Sequence, residues 1–302
     1  MVPVREVIEK RQAGSPALGY AQLSRPANMV TAAADVLAGY AAASSATPSG
    51  LAWLVVSTMA LYGGGVTFND FFDRKLDAVE RPERPIPSGR VPAAGAALMG
   101  TAMLAAGIAA AFGTSPASGT VATGIALAAL LYDAAAKHHR LAGPALMGVC
   151  RGLNLLLGIS GAPAAMSECW FLPLLPVCYV AAITVMSAGE VHGGSRRTGL
   201  ISLSLFAGSG AGLLALGVLR NFSLTPMVPF LLLLGWRVGP PVWRACMVSE
   251  PSAIRGAVRA GVLSLIVLDA AVAAGFGGFL YGAAVLCLMI PAFGLARLFP
   301  VT

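Results

Sequence analysis

The run from Asn69 to Asp77, NDFFDRKLD, carries Asp70, Asp73 and Asp77 at spacings of three and four. On a helix these side chains stand on one face, one above the next, and like charges held that close repel unless a cation sits among them. An all-oxygen set made of these carboxylates and the Asn69 amide suits Mg2+, a hard ion that keeps several waters and binds substrate phosphates. The chemistry implied is a metal-diphosphate site. The alternative is a solvated, charged helix end.

The elements that must position this run are apolar. Of 302 residues, 57% are hydrophobic and 11% charged, and the mean hydropathy is +0.78, too little polar surface to coat a soluble globule. Runs long enough to span a bilayer, about 20 residues each, lie near 28–46, 51–68, 93–113, 117–133, 142–161, 169–189, 198–219, 224–238, 257–275 and 278–298. These predict an all-α, polytopic membrane bundle of nine transmembrane helices, or ten, the last segments being ambiguous. A single domain over 25–302 is expected to follow an N-terminal segment, 1–24, that is polar and far too long for the charged start of a signal peptide. The 36 glycines and 20 prolines suit close helix contacts and broken helices in lipid.

Lys and Arg near the ends of spans are retained on the cytoplasmic side. Arg5, Lys10, Arg11 and Arg25 precede the first span. Arg74, Lys75, Arg81, Arg84 and Arg90 follow the second, Lys137 and Arg140 the fourth, Arg196 and Arg197 the sixth, and Arg237, Arg244, Arg255 and Arg259 the eighth. The opposite loops hold little beyond Glu168 and Arg220. The pattern predicts a multi-pass protein of the cell (inner) membrane, with its N terminus and acidic run facing the cytoplasm. It also accounts for the net charge of +7 without nucleic acid, because the basic residues follow topology and attraction to anionic lipid. Cys150, Cys169, Cys178, Cys246 and Cys287 form no CxxC pair and read as small core residues.

Polar residues inside spans are costly in hydrocarbon, so each is a functional candidate. Arg25, Asn28 and Asp35 recur at spacings of three and seven, which predicts one shared face looking into the bundle. Arg151 and Asn154 repeat the R-x-x-N pattern in the fifth span. About forty residues after each pair an acidic site ends a helix, Asn69 with Asp70 and then Glu190, a weak repeat relating spans 1–4 to spans 5–8. Asp269 stands alone in a late span, either facing the interior near a substrate or making one interhelical hydrogen bond.

The combination of R-P-x-N at Arg25 to Asn28, N-D-x-x-D-x-x-x-D from Asn69, RPERPIPSGRV from Arg81 to Val91 and Y-x-x-x-x-K from Tyr132 to Lys137 resembles the UbiA superfamily of intramembrane prenyltransferases. The resemblance runs from about Arg25 to Gly199. It implies a helical bundle with a central, lipid-open cavity capped by two acidic loops on the cytoplasmic side. There a polyprenyl diphosphate would be bound through Mg2+ and ionised, and its allylic carbon passed to an aromatic or lipid-like acceptor. Asn69, Asp70, Asp73, Asp77 and Glu190 would hold Mg2+, with Asp70, Asp73, Asp77, Lys137 and Glu190 as the catalytic set, since pyrophosphate leaves readily only when its developing charge is neutralised. Lys137, with Arg74 or Arg151, would add cationic donors to the phosphates. Arg25, Asn28, Tyr132, Arg151, Asn154 and Arg196 would contact substrate. The faces of Phe68, Phe72 and Tyr132 would stabilise an allylic cation, although Phe72 equally suits helix packing or lipid.

The chain departs from the family where a second D-x-x-x-D is expected. It reads SAGEVHGGSRRTG from Ser187 to Gly199, with Glu190 its one carboxylate and Gly194 in place of the second. A lone carboxylate weakens or loses the second ion, and Arg196 and Arg197 could then meet the diphosphate directly. His192 is a base, a ligand, or simply solvated. The family's Ser after Tyr132 is Asp133 here, which alters the charge beside Lys137. The GEVHGG loop resembles the bacterial branch called EboC. Two further readings stand beside the enzyme: an altered relative that binds or moves a lipid-linked metabolite, and a secondary transporter using Asp35 and Asp269. If Asp73 is a metal ligand, Asp73→Asn abolishes Mg2+-dependent turnover and leaves folding intact; an active Asp73→Asn protein, assayed beside its melting curve, removes the metal assignment.

Overall fold

Backbone polar groups in an apolar chain must pair internally, which helices do within a single segment. Helix is accordingly the only regular structure in the computed structural model, which describes residues 15–43, 48–137, 139, 141–191 and 193–299. Arg5, Lys10, Arg11, Arg140 and His192 lie outside the described residues. In chain order the helices are α1 (Pro16–Leu23), α2 (Pro26–Ala43), α3 (Pro48–Glu80), α4 (Ala93–Phe112) and α5 (Pro116–Leu131), which runs on into a π turn, Tyr132–Ala136. Then come α6 (Ala142–Ile159), α7 (Pro163–Glu168), α8 (Leu174–Ser187), α9 (Arg196–Ala215), α10 (Leu224–Val248), α11 (Pro251–Gly277), α12 (Phe279–Leu286) and α13 (Met289–Leu298). Prolines open α1, α5, α7 and α11, where a missing N–H costs nothing, and the hydroxyls of Ser15, Ser115 and Ser195 accept from the first turns of α1, α5 and α9.

Each of the ten apolar runs overlaps a helix, but among the described residues seven segments are long and apolar enough to cross a membrane, against the nine or ten spans expected. The physical reasons differ. Asn28, Thr31 and Asp35 dilute α2. Arg237, Arg244 and the internal Pro229, Pro240 and Pro241 dilute α10. At 14 residues α8 is about 21 Å long, short of a hydrocarbon core of about 30 Å. The opposite holds for α3, whose 33 residues extend about 50 Å. Its helix does not stop near Phe68, and the acidic run forms its last turns.

The late segments that the sequence left ambiguous contain the centre of the bundle. Every residue of α11 from Leu263 to Gly275 is buried, because α2, α8, α10 and α12 pack around it; a helix apolar on all sides requires such cover. In the other half α3 lies along α4, and α2 touches α3 and α6. A crevice of about 330 Å3, lined by Phe171, Leu175, Cys178, Ser209, Gly212 and Leu216, opens between the start of α8 and the end of α9, the ends remote from Glu190 and Arg196.

Where α2 crosses α6 the backbones themselves meet. A Cβ on Gly39 would collide with the Leu155 carbonyl oxygen, and one on Gly158 with the Val36 carbonyl oxygen, the close approach that small residues permit between helices. Backbone cannot step aside as a side-chain tip can. Gly158→Ala is therefore expected to lower stability by about 1–3 kcal/mol, read as an earlier thermal transition in detergent; an unshifted transition would mean that the helices do not cross at this point.

Candidate active site

The last turns of α3 place Asp70, Asp73 and Asp77 on one side, with Asp70 and Asp77 buried. Each is met by a cation from a different segment. Arg25 Nη2 donates to Asp70 Oδ1 at 2.7 Å. Arg84 Nη1 is shared, donating to Asp70 Oδ1 at 3.1 Å and to Asp77 Oδ2 at 2.9 Å. Lys137 Nζ donates to Asp73 Oδ1. Three carboxylates and three cations thus balance in a poorly solvated place, where an unpaired charge would be costly.

Local structure explains how each cation arrives. Arg25 precedes α2 instead of lying on it, in a left-handed conformation at φ +46° between α1 and α2. Asn28 and Asp35 do face inward as expected, but Arg25 does not share their helical face; its strained backbone turns the side chain to Asp70. Arg84 sits in a string of turns, with Arg84 N donating to Arg81 O and Ser88 N to Arg84 O. Arg90 of the same string donates to Gln22 Oε1 of α1 at 2.8 Å. Lys137 ends the π turn, where its N–H donates to Tyr132 O; this wider turn re-aims side chains relative to a regular helix.

The π turn also presents Asp133. Asn69 Nδ2 donates to Asp133 Oδ1 at 2.8 Å, which fixes the amide and leaves its oxygen as the group able to face a cation. Tyr132, half-buried, has Asp73, Asp133 and Arg25 as electrostatic neighbours. Arg74 is spent elsewhere, with Nη1 on Phe71 O at 2.7 Å and its guanidinium 4.5 Å from the Phe71 ring centroid. Phe68, Phe71 and Phe72 form one aromatic cluster, of which Phe72 is exposed on the bundle surface.

The loop after α8 closes over the same end. Glu190 is half-buried, and burial pushes its carboxyl up while Arg81, just past α3, and Arg255 of α11 pull it down. Its Oε1 is buried and accepts no hydrogen bond among the described residues. Arg255 Nη1 instead donates to the Glu190 carbonyl oxygen at 2.9 Å. Arg196 and Arg197 are exposed at the start of α9, without a side-chain ion pair or hydrogen bond among the described residues.

Arg151 and Asn154 are not brought to the acidic cluster. Arg151 Nε lies 2.8 Å from Asp35 Oδ2, its Nη2 donates to Thr31 Oγ1 at 2.9 Å, and Asn154 Nδ2 donates to Asp35 Oδ2 at 2.7 Å. Arg25 therefore serves the acidic end, whereas Arg151 and Asn154 serve the inside of the bundle. The partners of two residues were not picked out from sequence, Asp70 and Asp77 for Arg84 and Asn69 for Asp133. Arg84 was signalled by the repeated Arg-Pro of RPERP, and Asp133 by standing four residues before Lys137.

As they stand, no three His, Cys, Asp or Glu side chains among the described residues converge where an ion would sit, because the carboxylates are turned to Arg25, Arg84 and Lys137. The donor set still fits a hard cation: Asn69, Asp70, Asp73 and Asp77 offer oxygen only, and Glu190 Oε1 is a buried oxygen lacking a partner.

A family model described as the UbiA prenyltransferase family matches residues 32–250. The digeranylgeranylglyceryl phosphate synthase of Natronomonas pharaonis is 31% identical over 222 residues, 72% of this chain and 80% of that one. The synthase of the same name from Methanosarcina mazei is 35% identical over 195 residues, 63% and 66% of the two chains. The fold matches that of a UbiA homolog from Aeropyrum pernix K1, with a TM-score of 0.69 at 14% identity over 80% of this chain and 96% of that one. It also matches a UbiA homolog from Archaeoglobus fulgidus bound to GPP and Mg2+, with a TM-score of 0.55 at 14% identity over 89% and 99%.

Removing Arg84 strips Asp70 and Asp77 of their common partner. Arg84→Ala is expected to cost about 3 kcal/mol in a chelator, and Mg2+ should raise its melting temperature more than that of the parent protein. Equal shifts in paired thermal scans would show that Arg84 does not stand where a metal ion can.

Proposed function

The chain belongs to the UbiA prenyltransferase family, and on that premise we propose that it transfers an isoprenoid group from a polyprenyl diphosphate to a lipid-like acceptor at the acidic end of α3. The observation that carries this reading is the balanced set of Asp70, Asp73 and Asp77 with Arg25, Arg84 and Lys137. A magnesium diphosphate needs both halves of that set. Its cation takes the carboxylates and its phosphates take the released guanidinium and ammonium groups, so partners exchange without any charge left unpaired.

Asn69, Asp70, Asp73 and Asp77 would hold Mg2+, with Glu190 reaching in from the loop after α8. When bound, Mg2+ supplies Lewis-acid neutralisation of the leaving diphosphate. The chain's own residues do the rest. Arg84, with two donors in a planar fork, grips phosphate oxygens and fixes their orientation, and Arg25 and Lys137 add charge at either side. Asp133 holds the Asn69 amide, so its oxygen keeps one direction. Tyr132 and the Phe68 ring offer faces to developing positive charge on the isoprenoid, while the apolar sides of the helices take its tail and exclude water.

The printed name of the relatives, a digeranylgeranylglyceryl phosphate synthase, supports a lipid-like acceptor over an aromatic one. The excess of Arg and Lys beside the acidic end supports a multi-pass protein of the inner membrane with this site facing the cytoplasm. A second reading, a carrier of a lipid-linked metabolite, is favoured by the loop after α8. There Arg81 and Arg255 neutralise Glu190 and Gly194 replaces a carboxylate, so a second ion has little to hold it.

Calorimetry on the detergent-purified protein with geranyl, farnesyl and geranylgeranyl diphosphates separates the two. Mg2+-dependent binding is expected, weakened at least tenfold, about 1.4 kcal/mol, by Lys137→Ala, together with prenyl transfer to a glyceryl phosphate lipid. Failure to bind any of the three diphosphates removes the transferase reading, and binding without transfer to any acceptor supports the carrier.

A further inference from the structure

A second polar focus lies inside the bundle at Asp35, about two and a half turns into α2. It lies apart from the acidic cluster of Asp70, Asp73 and Asp77. Asp35 of α2 and Asp269 of α11 both have 0% exposure. Both partners meet one oxygen: Asn154 Nδ2 donates to Asp35 Oδ2 at 2.7 Å, and Arg151 Nε lies 2.8 Å from it as an ion pair without hydrogen-bond alignment. Asp35 Oδ1 and both oxygens of Asp269 accept no hydrogen bond among the described residues. Yet α2 and α11 pack against each other, and there Asp35 and Asp269 act on one another as charge and hydrogen-bond neighbours. Acceptors therefore face acceptors.

The surrounding elements do not relieve this. Tyr179 of α8 donates to Gly261 O at 3.1 Å, Arg237 of α10 to Ser264 Oγ at 3.2 Å, and Tyr281 of α12 to Leu37 O at 3.2 Å. Thr58 of α3 donates to Asn154 Oδ1, and Tyr62 of α3 lies under the Arg151 guanidinium at 5.7 Å. Arg151 is thus the cation that serves the pair, and two ionised carboxyls against one guanidinium would leave a net negative charge in an apolar interior, at a cost of several kcal/mol. A metal ion is a poor remedy. Asp35 Oδ2 is taken by the Asn154 amide and the Arg151 charge, and Thr31 Oγ1 already accepts from Arg151 and donates to Asn28 O, so too few oxygens are free for a hard cation. One hydrogen removes the excess charge and supplies the missing donor together.

We propose that Asp35 and Asp269 form a proton-binding site, a carboxylic acid and a carboxylate sharing one proton, that ties α2 to α11 at the centre of the bundle. The pair explains why the fully buried part of α11, residues 263–275, carries a carboxyl: the shared hydrogen makes it a neutral cross-tie, and Arg151 with Asn154 fixes Asp35 as the side that keeps the charge.

Infrared spectra of the full-length protein in detergent, in H2O and D2O at neutral pH, test this. The parent should show the deuterium-sensitive carbonyl stretch of a buried protonated carboxyl, and the parent-minus-variant difference should assign it, since Asp269→Asn loses it. The same Asp269→Asn protein should melt close to the parent, because the Asn amide N–H replaces the shared hydrogen, whereas Asp269→Leu leaves Asp35 Oδ1 without a donor and melts lower. A carbonyl region unchanged by Asp269→Asn overturns the proposal. So does an Asp269→Asn protein that melts as low as Asp269→Leu or does not fold.

Discussion

Repulsion among three carboxylates on one side of α3 is the constraint around which the acidic end of the bundle is arranged. Two unit charges about 4 Å apart interact by roughly 4 kcal/mol at an effective dielectric of 20, too much for a marginally stable protein to leave unanswered. Three cations answer it, from the α1–α2 junction, the turns after α3 and the π turn after α5. Segments far apart in sequence are thereby drawn to one point. Asp70 lies 45 residues from Arg25, and Asp73 lies 64 from Lys137. The electrostatic problem posed by one helix thus closes one end of the molecule, and its solution is a set of exchangeable ion pairs, which is what a metal-bound diphosphate requires.

The helical frame makes that arrangement possible. An unbroken helix of 33 residues carries its acidic turns beyond the apolar part, so the carboxylates ride on a helical support. Opposite it, α11 fills the centre, and polar groups that enter the interior must find partners there because water does not. Asp35 finds Arg151 and Asn154 across the α2–α6 crossing, the same crossing where Gly39 and Gly158 let the backbones touch. Close packing and polar satisfaction are one feature at that crossing, since only helices this near can bring short side chains into hydrogen-bonding distance.

The two halves of the chain share a pattern and use it differently. Arg25 turns outward to Asp70, while Arg151 turns inward to Asp35. The first acidic run keeps three carboxylates, whereas the loop after α8 keeps Glu190 and surrounds it with Arg81 and Arg255. Charge at the mouth is therefore lopsided, with the anionic groups on α3 and the cationic ones around it. The loop after α8 acts more as a cover tied by Arg255 to α11 than as an equal partner in holding ions.

Much of this was legible in the residues themselves. Helices and their approximate extents follow from apolar runs, the shared face of Asp70, Asp73 and Asp77 follows from helical periodicity, and the lone Glu190 follows from reading the loop; each is a local property of neighbouring positions. Arg84 as the shared partner of Asp70 and Asp77, Asp133 as the brace of Asn69, and the departure of Arg151 from the acidic end to Asp35 were not legible. Nor was the burial of α11 on every side. Hydrophobicity says that a residue leaves water, not which helix covers it, and a basic residue's charge says that it will pair, not with which of several acids. Those choices belong to tertiary packing, where crossing distance, burial and the count of charges in one enclosed place decide which partner is reached.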